Sequence, residues 1–174
     1  MAMDAETARM LDWQASRYFG KYRGIVTDVR DPKSLGRVRA RVPDVLADEQ
    51  TGWALPSAPY AGPSQGLFAV PPPGAGVWIE FEAGDVSRPI WAGCWWRGEQ
   101  APEKGSPSVK VLRTGSGHSI TLEDTDGDEK IVITDAHGSK VIIDESGIEL
   151  TKGGQTVKIT ESSVSIDDGA LEVT

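Results

Sequence analysis

This 174-residue sequence predicts a mostly β protein in two unlike parts. A small antiparallel barrel comes first, and an intertwined trimeric β-helix (a β-prism) follows. Three observations carry this. All 6 Trp, 3 Tyr and 3 Phe lie at or before Trp96, and all 11 Pro at or before Pro107. Residues 1–100 hold 11 basic and 12 acidic side chains, a net of −1, whereas residues 101–174 hold 7 and 14, a net of −7. Beyond the aromatic part, aliphatic residues recur as i/i+2 doublets between polar turns.

Residues 1–17 read as an arm or a short helix, with Asp4 as N-cap and Met3, Met10 and Leu11 as a thin apolar stripe. From Tyr18 the pattern is strand-like. Tyr22–Val29 is rich in β-branched residues, and Asp31-Pro32-Lys33-Ser34-Leu35-Gly36 is turn chemistry. Arg37-Val38-Arg39-Ala40-Arg41-Val42 alternates charge with apolar residues at period 2, so the two runs predict a hairpin with one wet face. Pro71-Pro72-Pro73 cannot sit in a central strand. Val77–Glu82 and Ile90–Trp96 resume the strands, with Gly84-Asp85 turning between them. Four or five short strands without a helical crossover predict a small antiparallel barrel over residues 18–98. Pattern alone does not separate an oligonucleotide/oligosaccharide-binding type from an SH3-like one. Trp53, Trp78, Phe81 and Trp91 are its candidate core or interface residues, with Trp78 and Phe81 on opposite faces. Gly36, Gly74, Gly76 and Gly84 read as turn positions, and Arg37, Arg39 and Arg41 as a basic ridge.

An ordered series of short motifs runs through this region. It includes Gly36-Arg37-Val38, Val42-Pro43, Gly52-Trp53-Ala54, Gly74-Ala75-Gly76-Val77-Trp78-Ile79-Glu80-Phe81-Glu82-Ala83-Gly84-Asp85 and Pro89-Ile90-Trp91-Ala92-Gly93. The series resembles the N-terminal barrel of the phage baseplate assembly protein V family, the central spikes of contractile tails, related to the VgrG spikes of type VI secretion. That resemblance implies an OB-fold barrel, a homotrimer beneath the tail tube and a triple-stranded β-prism after the barrel.

Residues 99–108 read as a linker. The doublets beyond it are Ile120/Leu122, Ile131/Ile133, Val141/Ile143, Ile148/Leu150, Val157/Ile159, Val164/Ile166 and Leu171/Val173. Burying so few aliphatic side chains falls well short of the entropy lost on ordering the 57 residues from His118 to Thr174, and no aromatic residue adds to it. The segment therefore needs partner chains to complete its core. A threefold arrangement lets every doublet point to a shared axis, with one strand per chain in each layer. The other reading is a sandwich or hairpin meander within one chain. Seven layers at about 4.8 Å give a shaft roughly 35 Å long.

Candidate chemistry is sparse. A pI near 4.8 argues against duplex DNA binding, and no apolar run is long enough to span a membrane. The N-terminus carries no readable signal peptide, so synthesis in the cytoplasm is expected. His118 and His137 read as turn histidines, and Asp124–Glu129 departs from the calcium-loop pattern in the places of its Gly and closing Glu. Cys94 reads as a buried structural thiol. No catalytic pair, metal site or cofactor site is predicted. The expectation is a non-enzymatic homotrimeric spike in a virion tail or in a released or envelope-anchored injection particle. Its barrel would cap a baseplate hub protein, and its prism would point at the target envelope. From the end at Leu171-Glu172-Val173, a PAAR-repeat-type tip protein is expected to complete it. Two rivals are a carbohydrate- or single-strand-binding barrel using Trp78, Trp91 and Arg39, and a cell-wall hydrolase.

Overall fold

The computed structural model describes residues 4–103, 106–167 and 170–173. The chain divides into two units, Met1–Glu99 and Gln100–Thr174.

The first unit opens with helix α1 (Ala5–Ala15), started by Asp4, whose Oδ1 accepts the Glu6 and Thr7 N–H groups at 3.0 and 2.8 Å. No α1 residue is buried. Strand β1 (Tyr22–Asp28) then pairs antiparallel with β2 (Arg39–Arg41), and a register shift between Val26 and Asp28 bends the ribbon. Val38, Ala40 and Val42 are fully buried while Arg41 is exposed, which is the period-2 alternation of the sequence in space.

After the short helix α2 (Pro43–Leu46) come the two-residue strands β3 (Leu55–Pro56), β4 (Ala61–Gly62) and β5 (Gln65–Gly66). Strands β6 (Gly76–Phe81) and β7 (Pro89–Trp95) complete the unit. The sheet order is β2-β1-β6-β7-β3. Val38 and Ala54 exchange both backbone hydrogen bonds, at 2.8 and 3.2 Å, joining the two outer strands. The five strands thus close on themselves. One pair, β3 with β7, is parallel. A closed ring with an odd number of strands cannot alternate direction at every step, so an all-antiparallel barrel is geometrically excluded. The core holds Val26, Val38, Ala40, Val42, Ala54, Val77, Ile79, Phe81 and Trp91.

One glycine departs from the sequence reading. Gly76 lies inside β6 rather than in a turn, and a Cβ there would stand 2.6 Å from the Trp95 ring. It makes room for that indole, whose Nε1 donates to the Val77 carbonyl at 3.1 Å.

The second unit is one eight-stranded sheet in sequence order: β8 (Val109–Arg113), β9 (Ser119–Glu123), β10 (Lys130–Thr134), β11 (Lys140–Asp144), β12 (Gly147–Lys152), β13 (Gln155–Ile159), β14 (Val164–Ile166) and β15 (Leu171–Val173). Every neighbouring pair is antiparallel. The expected winding, one strand from each of three chains per layer, differs from this meander, in which one chain supplies all eight strands and their hydrogen bonds. Strand β8 is absent from the doublet pattern and adds about 5 Å to the stack. Tight connections make the meander feasible. At Gly147 (φ +136°) a Cβ would lie 2.0 Å from the Ile159 carbonyl oxygen, so no other residue fits that hairpin start.

Candidate assembly surfaces

The registers place all seven doublets on one face of the sheet, in two rows. Leu122, Ile131, Ile143, Ile148, Ile159, Val164 and Val173 form one row. Ile120, Ile133, Val141, Leu150, Val157, Ile166 and Leu171 form the other. Lys110 and Leu112 of β8 continue the rows, one residue each. Among the described residues of this unit, nothing covers this face. Ile120, Leu122, Ile131, Ile133, Ile143 and Leu150 stay 38–43 % exposed, and Leu171 and Val173 rise to 57 % and 62 %. A contiguous aliphatic face of this size is an association surface, because an isolated sheet would leave it against water.

The barrel's sequence-selected aromatics divide by face. Phe81 and Trp91 are in the core, and Trp91 Nε1 donates to the Gly36 carbonyl at 3.1 Å. Trp78 lies half-buried on the outside, opposite Arg23 on β1 and tilted against Trp95. Arg23 stacks on both indoles, 5.7 and 5.2 Å from their centroids. Trp53, also half-buried, carries Arg37 at 5.6 Å and Arg39 at 4.7 Å. The basic ridge is therefore partly an arginine–tryptophan stack, which the sequence pattern did not reveal. Trp91, Trp78 and Arg39 do not share one binding surface. Trp91 is buried, and the β1 partners of Trp78 and Arg39 (Arg23 and Asp28) are separated by about 17 Å of strand.

Asp31 organises the turn before β2. Its carboxylate accepts the Lys33, Leu35 and Arg37 N–H groups and the Arg37 guanidinium, with Nη2 at 2.5 Å. The Arg37 guanidinium, followed by these backbone donors, holds the Asp31 carboxyl far below the usual aspartate range. Asp28 is drawn down to about 2, first by its hydrogen bonds from Arg30. In the second unit, the Ser139 N–H lowers Asp135 and the Ser146 hydroxyl lowers Asp144, each within a hairpin turn. A carboxylate with a lowered folded-state pKa stabilises the fold above its ordinary value and ceases to do so as pH falls through the folded value. The thermal midpoint, followed by circular dichroism, is therefore expected to hold at neutral and mildly acidic pH and to fall once pH drops below the ordinary aspartate value of 3.8. A midpoint unchanged down to pH 2 would contradict this.

The remaining candidates are soon placed. Cys94 is exposed, not buried as the sequence suggested, because it sits beside the register shift between β6 and β7. Partial desolvation still raises its pKa, so it is no activated thiolate. His118 Nδ1 accepts the Ala136 N–H at 3.2 Å, a link between two hairpin turns. Among the described residues, no three His, Cys, Asp or Glu side chains form a metal-binding group.

Comparison with known proteins agrees with both surfaces. Residues 22–96 match the type VI secretion system/phage-baseplate injector OB domain. Residues 109–172 match the phage baseplate V C-terminal trimerisation domain. No curated protein matches the chain. The closed five-stranded barrel and the one-faced apolar sheet each coincide with one of these domains, and the chain belongs to the phage baseplate V family, with a structural role in a phage or type VI baseplate and a homotrimer-forming second unit.

Proposed function

We propose that three copies bring their apolar sheet faces to a common axis and form a rigid, non-enzymatic shaft at the centre of a contractile baseplate. The uncovered double row of fourteen aliphatic side chains carries this reading. Each chain supplies one complete wall, so association buries side chains while every wall keeps its own hydrogen-bond ladder. Ladders running across the long axis resist compression along it, which suits a part that transmits contraction force to a target envelope. The barrel caps the hub protein of the baseplate. Leu171 and Val173, the most exposed doublet, are where a tip protein of the PAAR-repeat type would seat. The full chain is expected to have a solution mass by light scattering of three times 18.7 kDa. A monomer at micromolar concentration overturns the reading.

A further inference from the structure

A meander sends its hairpin turns alternately to two edges of the sheet, and here the two edges differ in chemistry. The first edge carries the turns Thr114–His118, Asp135–Ser139 and Lys152–Gln155. They are rich in glycine (Gly115, Gly117, Gly138, Gly153, Gly154) and stitched together by Ala136 N–H to His118 and by Lys152 Nζ to the His137 carbonyl at 3.3 Å. Arg113, Lys140 and Lys152 belong to this edge with Asp135 and Asp167, a net of +1 among the described residues, and Lys152 pairs with Asp135 at 4.0 Å. The second edge carries Asp124, Asp126, Asp128, Glu129, Glu145 and Glu161 in its turns, with Glu123 and Asp144 at the adjoining strand ends. Against these eight carboxylates stand Lys110 and Lys130, a net of −6. Nearly all of the unit's excess negative charge therefore lies on one edge.

The edges also differ in level. First-edge turns follow β8, β10 and β12, whereas second-edge turns follow β9, β11 and β13. Copies related by a threefold axis, with strands running across it, keep equal heights along that axis. The first-edge turns after β10 and β12 of one copy then each face a gap between two second-edge turns of the next. At one such gap a recess of about 610 Å³ begins among Asp128, Glu129, Asp144 and Glu145 and runs on over the outer face of β10 and β11, past Val132 and Ile142 to Lys140. It lies level with the Asp135–Ser139 turn, because Lys130 and Asp144 are register partners at the far ends of the same two strands.

Building on the three-walled trimer of the proposed function, we infer that neighbouring copies join edge to edge. The cation-bearing, glycine-rich turns of one copy seat between the acidic turns of the next. His137 enters the recess beside Glu145, and Lys152 lies between Glu145 and Glu161. The occupant of the acidic edge is a second copy of this chain, selected by charge and by the half-layer stagger. The contact is head-to-tail and closes after three copies.

The test is a disulfide between copies. In a full-length Cys94→Ser background, His137→Cys and Glu145→Cys are combined. Within one chain these residues lie at opposite ends of β11, about 17 Å apart, beyond the reach of a disulfide. Between copies they are offset by only about 4.8 Å along the axis. Mild oxidation should give a covalent trimer on a non-reducing gel. A protein that is trimeric by light scattering yet stays uncoupled overturns the edge contact and leaves the trimer standing. A monomeric Cys94→Ser parent removes both. Because the cysteine pair can disturb its turns, Lys152→Glu supplies a second reading. It should weaken association about tenfold, and Glu161→Lys in the same chain should restore it. Failure of the pair to recover overturns the inference.

Discussion

Ile148→Asp turns the trimer into monomer. Ile148 lies in the fifth of the eight strands, in one row with Ile143 and Ile159. On the proposed axis, three introduced carboxylates would meet in an aliphatic environment, with Ile143 and Ile159 as their neighbours in the row. An uncompensated buried charge costs about 3–5 kcal/mol, here once per copy. Each such cost corresponds to roughly 10²–10⁴ in the association equilibrium. Light scattering at micromolar concentration should show the mass of a single chain, with the barrel's near-ultraviolet tryptophan signal unchanged because all six tryptophans belong to the first unit. Leu150→Ala, in the other row, should weaken the trimer without abolishing it. A trimer that survives Ile148→Asp would mean that the doublets do not face the axis.

Ile79→Ala acts on the other unit. Ile79 is fully buried in β6, among the largest side chains wholly removed from water. Its truncation should cost the barrel about 2–5 kcal/mol, since the closed ring cannot collapse onto the cavity. For a unit of this size, the tryptophan-monitored melting midpoint should fall by at least ~10 °C. Trimer mass should persist, because the sheet makes its own association surface. Loss of the trimer together with the barrel would show that the units depend on each other for folding.

These two outcomes follow from features of unequal legibility. The Arg37–Val42 alternation was readable because side-chain direction in a strand has a period of two, and burial imposes that period on composition. The direction of β3 was not readable. A two-residue strand carries no pattern, and its parallel pairing with β7 follows from closing an odd-numbered ring. The arginine stacks on Trp53 and on the Trp78–Trp95 pair depend on which residues oppose each other across strands. Cys94 was misjudged because strand periodicity fails beside a register shift. Strand β8 escaped notice because Val109-Lys110-Val111-Leu112 offers two overlapping phases, and the structure puts Lys110 and Leu112, not the valines, on the apolar face.

Composition separates a half rich enough in aromatics to build its own core from a half whose aliphatic residues make only one layer. Aromatic content decides the first, and fourteen aliphatic side chains with no second layer decide the other. The i/i+2 spacing determines which residues share a face, as it does in any strand. The spacing is silent on where the hydrogen bonds of those strands go, and the fold supplies that. A doublet looks the same whether its neighbour belongs to the same chain or to another. The turns settle the question: they are short enough, and at Gly147 permissive enough, for each strand to fold back on its predecessor. Within one chain the sheet therefore completes its own hydrogen-bond ladder and leaves an aliphatic face exposed.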